Sequence, residues 1–129
     1  MNIVDSSGWL EFFADGPNAE SFAKPLADRD QLLVPVIIIY EVFKVVLRER
    51  GENAALQAAA LLRQGDVVAL TEDIALAAAR LSVAHKIPMA DSIILATART
   101  NDAIIWTQDD DFKGLDNVRY FSKTDVKSK

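Results

Sequence analysis

The chain has 129 residues, 50% of them hydrophobic and 26% charged, with 19 acids against 14 bases for a formal net charge of −5. That length suits one domain, the composition excludes a disordered or collagen-like chain, and the absence of cysteine excludes thiol catalysis, Cys-based zinc sites and disulfide scaffolds. The acidic balance argues against holding nucleic acid by bulk electrostatics, and the single histidine, His85, excludes a two-histidine acid–base mechanism.

Asn2-Ile3-Val4 reads as a short buried strand ending at Asp5, and Ser6-Ser7-Gly8 as a turn and helix-cap cluster. Trp9, Leu10, Phe12 and Phe13 give the following helix an apolar stripe, and Asp15-Gly16-Pro17 ends it. Pro17 suits the first turn of a second helix running through Phe22 to about Leu26. Residues 31–34 form a second strand closed by Pro35, and residues 36–50 a long helix with Gly51 as its stop. Residues 53–63 are Ala/Leu-rich and helical, ended by Gly65, and residues 67–70 form a third strand. Thr71 is an N-cap with Glu72 and Asp73 in the first turn, where the helix dipole favours acids, and that helix runs to His85. Pro88 interrupts, residues 90–100 are helical again, residues 103–107 form a fourth strand and residues 118–121 a short edge strand. Residues 123–129 are Lys/Ser-rich and expected to fray.

Alternating strands and helices, with strands apolar throughout, predict an α/β domain: a central parallel sheet of four to five strands covered by helices on both faces. Sites in such sheets form beyond the carboxyl ends of the strands, near the topological switch point. The longest apolar run, residues 34–40, falls far short of the roughly 20 residues of a membrane span and contains Pro35. No basic leader precedes a long apolar stretch, so neither a secretory signal nor membrane association is expected. A cytoplasmic location is.

Several acids stand out. Asp5 directly follows the first strand and Asp109 follows the fourth by two residues, so both belong to the site-bearing edge; a turn or cap is the common role of such acids. Glu41 lies within VPVIIIYEVFKVVL, and periodicity favours a solvent stripe of Glu41, Lys44, Arg48 and Glu49. Asp91 follows Pro88-Met89-Ala90, where an N-cap is the simple reading. Asp109, Asp110 and Asp111 are consecutive; in an extended segment Asp109 and Asp111 point alike and Asp110 points away. An oxygen-only cluster without His or Cys suits a hard cation, Mg²⁺ or Mn²⁺, rather than zinc.

The segments NIVDSSGWL, PVIIIYEVFKV, MADSIILATA and TQDDDF, in that order, resemble the PIN-domain ribonuclease family, and most closely the VapC-like toxins of toxin–antitoxin pairs. The resemblance covers about residues 1–122, taken as one PIN-like nuclease domain. It implies catalytic and metal-holding roles for Asp5, Glu41, Asp91 and Asp109, a further, more variable metal acid at Asp111, and supporting roles for Ser6 and Thr107. The implied activity is Mg²⁺- or Mn²⁺-dependent endoribonucleolytic hydrolysis, leaving a 5′-phosphate and a 3′-hydroxyl. The implied partners are an RNA substrate, a cognate VapB-like antitoxin and a second copy of the chain in a homodimer. Trp9, Phe12 and Phe13 are groove, interface or core aromatics, and the helix over residues 36–47 is apolar enough for a dimer contact beyond the core.

Three other readings stand beside it: a housekeeping PIN ribonuclease without antitoxin, a PIN-like module that binds RNA or protein without cleaving it, and a signalling receiver domain. The last fits poorly. It requires an acid pair after the first strand and an Asp at the tip of the third, where this chain has Asp5-Ser6 and Leu70-Thr71.

Overall fold

The computed structural model describes residues 1–123, so the expected tail lies, from residue 124 on, outside the described residues. The chain runs β1 (Asn2–Val4), α1 (Ser6–Phe13), α2 (Ala19–Ala27), β2 (Leu32–Pro35), α3 (Val36–Arg50), α4 (Glu52–Leu62), β3 (Asp66–Val68), α5 (Glu72–His85), α6 (Met89–Thr100), β4 (Ile104–Thr107) and β5 (Val118–Tyr120). Short 3-10 turns lie at Arg29–Gln31 and Asp110–Phe112.

All five strands are parallel, in the order β3-β2-β1-β4-β5. The chain builds outward from β1 through β2 to β3, then returns to place β4 on the other side of β1. The direction reverses between β1 and β4, where Ile3 pairs with Ile105 and Val4 with Trp106. Adjacent strand residues face opposite sides of a sheet. Ile3 and Val4 are both buried, as are Leu32, Leu33 and Val34, so helices cover both faces. Ile38 and Val42 of α3, Phe22 of α2 and Ile94 and Leu95 of α6 complete the core against these strands. A smaller cluster of Ile74, Ala78, Ile93 and Ala96 joins α5 to α6.

Some boundaries differ from expectation for local reasons. Pro17 lies outside α2: Asn18 occupies the cap position, and its backbone N–H donates to Glu11 Oε2 at 2.8 Å. The strand expected to stop before Pro35 includes it at its last position, where Pro35 pairs with Val68. β3 is shorter and one residue earlier than expected; as an edge strand it has a ladder on one side only. Ala103 is excluded from β4 because its N–H serves the end of α6, donating to the Ala98 carbonyl at 2.8 Å. α5 ends on Lys86 in the left-handed region (φ 56°), a conformation that usually selects glycine.

Candidate functional site

Asp5 leaves the end of β1 at the switch point and caps α1. Its Oδ1 accepts from the Gly8 N–H at 3.1 Å and from Ser7 Oγ at 2.7 Å, while Oδ2 accepts from Thr107 Oγ1 at 2.7 Å. The cap role and the site position therefore coincide. Thr107 ends β4 and is fully buried; the Asp109 N–H donates to its hydroxyl oxygen at 2.8 Å. One threonine thus ties the carboxylate after β1 to the backbone of the acid after β4. Gly8 permits the close approach of α1 to β1, since a Cβ there would lie 2.6 Å from Val4 Cγ1 and 2.8 Å from Phe22 Cδ1.

Glu41 reaches the same edge from α3. It does not join a solvent stripe: it is half-buried, and Ser6 Oγ donates to its Oε1 at 3.0 Å. Lys44 instead sits over the Tyr40 ring at 5.6 Å, and Arg48 pairs with Glu49. The expected N-cap at Asp91 is likewise displaced. α6 begins at Met89 with Pro88 at the cap, so Asp91 falls within the first turn and is buried. Helical periodicity located the residue but could not select the face that α6 turns toward the sheet edge.

The acidic triplet divides, but not by strand alternation, because the segment is a 3-10 turn rather than extended. Asp109 caps that turn, with Oδ1 accepting from the Asp111 N–H at 2.9 Å. Carboxylate oxygens of Asp91, Asp109 and Asp111 all lie within 4.8 Å of one another, the only such trio of potential ligands among the described residues. Asp110 is diverted, accepting a hydrogen bond from the Tyr120 hydroxyl of β5.

Gathering these charges has an electrostatic consequence. Burial raises the Asp5 carboxyl to about 6, despite hydrogen bonds from Ser7, Thr107 and Gly8 that favour the anion; the nearby Asp109 charge adds a little. Burial is also the main cause of the raised Glu41 pKa, with a smaller contribution from Asp109. Asp91 is pushed well above the carboxylate range, first by burial, then by the charges of Asp109 and Asp111 and by a hydrogen bond with Asp111. Unneutralised, these acids oppose one another's ionisation. An all-oxygen donor set of this kind fits a hard divalent cation, so the residues present are chemically suited to Mg²⁺ or Mn²⁺.

Asp91, Asp109 and Asp111 thus form one trio, with Asp5 and Glu41 close enough to feel the Asp109 charge. Ser6 touches Glu41, and Thr107 touches Asp5 and Asp109. Ser7, expected only as part of a turn and cap cluster, also supports the site: its hydroxyl donates to Asp5 and accepts the Gln108 N–H at 3.1 Å. Its position two residues after a capping Asp was the available signal. His85 lies exposed in the last turn of α5 and is not a member of the trio.

A PIN-domain family profile matches residues 3–118. No curated protein matches the chain by sequence. Among solved structures, a toxin–antitoxin complex from Klebsiella pneumoniae superposes with a TM-score of 0.79 at 22% identity, covering 95% of this chain and 99% of that one. Mycobacterium tuberculosis VapC20, described as a toxin cleaving the sarcin–ricin loop, gives 0.76 at 20% identity over 90% of this chain and 95% of that one. VapBC2 from Rickettsia felis, bound to a DNA fragment from its promoter, gives 0.72 at 12% identity over 94% and 97%.

Proposed function

Because the chain belongs to the PIN-domain family, we propose that it is a Mg²⁺- or Mn²⁺-dependent endoribonuclease and the toxin of a VapBC-like pair. The observation that carries this reading is the Asp91, Asp109 and Asp111 trio at the carboxyl edge of the sheet, flanked by Asp5 and Glu41. That edge is where parallel sheets host chemistry.

Asp91, Asp109 and Asp111 would hold the cation, with Asp5 and Glu41 completing the acidic wall. When bound, such an ion lowers the pKa of an attacking water and balances charge on the phosphate and leaving oxygen. The residues do the rest. Ser7 and Thr107 orient the Asp5 carboxylate, and Thr107 also fixes the backbone that carries Asp109. Ser6 engages Glu41 through Oε1, leaving Oε2 as the atom to take a proton from water. Tyr120 withdraws Asp110, so that a further like charge does not crowd the trio.

Two surfaces are suited to protein partners. A groove of about 290 Å³ is lined by Trp9, Phe12, Ala23, Leu26 and Leu61, with Arg29 and Gln64 beside them, and suits an apolar segment of an antitoxin. Val36, Tyr40 and Leu47 leave apolar surface of α3 exposed, as a homodimer contact would require. Among the described residues no helix is long and apolar enough to cross a membrane.

The test is RNA cleavage by purified protein with Mg²⁺ or Mn²⁺, comparing wild type with Asp5→Asn and Asp91→Asn. Both variants should fold and lose metal-dependent cleavage. Full activity in either would overturn the assignment. Growth arrest on expression, relieved by an antitoxin encoded next to the gene, would separate a toxin from a housekeeping nuclease.

A further inference from the structure

Resting on the metal-site reading above, we propose that Gln108 is a positioning residue whose side-chain amide holds Asp109 in register for the cation. Gln108 is buried between Thr107, the last residue of β4, and Asp109. Its backbone N–H donates to Ser7 Oγ at 3.1 Å, the same hydroxyl that donates to Asp5. Its side chain leads away from the acids. Oε1 accepts from Asn18 Nδ2 at 2.9 Å, and Nε2 donates weakly to Glu11 Oε1 at 3.4 Å. Asn18 closes the circuit: its backbone N–H donates to Glu11 Oε2 at 2.8 Å, and its Nδ2 also donates to the Ser122 carbonyl at 3.0 Å.

The Gln108 amide therefore ties the chain leaving β4 to α1 through Glu11 and to the α1–α2 connection through Asn18, and Asn18 in turn holds the chain after β5 through the Ser122 carbonyl. The amide orientation is determined by its neighbours, because reversing it would set its carbonyl against the Glu11 carboxylate. Gly16 leaves room for that carboxylate; a Cβ there would lie 2.4 Å from Glu11 Oε1. None of these side chains reaches the trio. What they determine is the path of the backbone as it leaves the sheet. Asp109 is the next residue along that path, and a small displacement there misplaces a ligand oxygen. Outer partners that orient metal ligands typically change affinity by about 10–100-fold when removed.

A loop tie that merely stabilised the fold would lower the Tm and leave cation affinity unchanged. The experiment therefore measures Mn²⁺ affinity by titration calorimetry beside the Tm of the metal-free protein. It uses wild type, Gln108→Leu, Asn18→Ala, and Val46→Ala as a core control in the second half of α3, outside both the trio and the Gln108 network. Gln108→Leu should bind Mn²⁺ ~10-fold more weakly, Asn18→Ala should weaken it in the same direction, and Val46→Ala should lower the Tm without changing affinity.

The double variant Glu11→Gln with Gln108→Glu exchanges amide and carboxylate while preserving every donor–acceptor pairing, and should recover near-wild-type affinity. If Gln108→Leu fails to fold, Asn18→Ala and the exchanged pair decide the matter. Wild-type affinity in both Gln108→Leu and Asn18→Ala, or in Asn18→Ala with the first unfolded, overturns the positioning role and leaves the metal site standing. So does an exchanged pair that binds as poorly as Gln108→Leu. Absence of Mn²⁺ binding in the wild type overturns the metal site itself and, with it, this proposal.

Discussion

Asp5 carries a cost that its own replacement should reveal. Burial lifts its carboxyl from an ordinary 3.8 to about 6, so between about pH 4 and 6 the native state binds more protons than the unfolded chain. Stability must then fall as pH rises across that window, by roughly 3 kcal/mol in total, with the whole cost present above it. Asp5→Asn removes the ionisation. The new side chain keeps an oxygen for Ser7 and Gly8 but turns an N–H₂ toward Thr107 Oγ1, a loss of about 1 kcal/mol. The variant should therefore be about 2 kcal/mol more stable than wild type at pH 7.5, or about 7 °C in Tm for a chain of this size. At pH 4 the advantage should vanish or slightly reverse. Urea unfolding in metal-free buffer at pH 4, 5, 6 and 7.5, followed by the fluorescence of Trp9 and Trp106, measures the difference directly. A difference that stays constant with pH, or a variant clearly less stable than wild type at pH 7.5, would refute the reasoning.

Other outcomes follow from the same geometry. Mn²⁺ at about 100 times its dissociation constant should stabilise the protein by about 2.7 kcal/mol, and Asp109→Asn should abolish the gain in a thermal melt. Because the metal-free Asp91 carboxyl holds its proton above the usual range, Mn²⁺ affinity should fall from pH 7.5 to 5.5 and binding should release protons, both readable by calorimetry in two buffers. Thr107→Val, nearly isosteric, deprives Asp5 Oδ2 and the Asp109 N–H of their partner; it should cost about 2–3 kcal/mol in chemical denaturation at pH 7.5 and weaken cleavage. Asp111→Asn should weaken Mn²⁺ binding while Asp110→Asn should not, since only the former reaches the trio; equal losses in titration would contradict the division of the triplet.

The alternation of strands and helices was legible because each boundary has a local cause. α3 starts after Pro35 and stops at Gly51, and α5 starts where the Thr71 side chain accepts from the Ile74 N–H. The strand-end positions of Asp5 and Asp109 followed from the same reading, and with them the edge where a site should lie. The acids' surroundings were not legible from local pattern. Periodicity placed Glu41 in a solvent stripe, yet a hydroxyl 35 residues away holds it at the sheet edge. It made Asp91 a cap, whereas packing of α6 buries it beside Asp109 and Asp111. Local pattern also left Gln108 unremarked, between two residues with clearer chemistry.

Amino-acid order alone therefore determined the inventory: a parallel α/β chain, oxygen donors without His or Cys partners, and family segments in the right sequence. Tertiary structure decided which donors meet. The hydrogen bonds that hold them join residues up to 102 positions apart and depend on β4 returning to the side of β1. That strand order is set by the burial of both sheet faces at once, a condition of the whole chain that no local window of it contains.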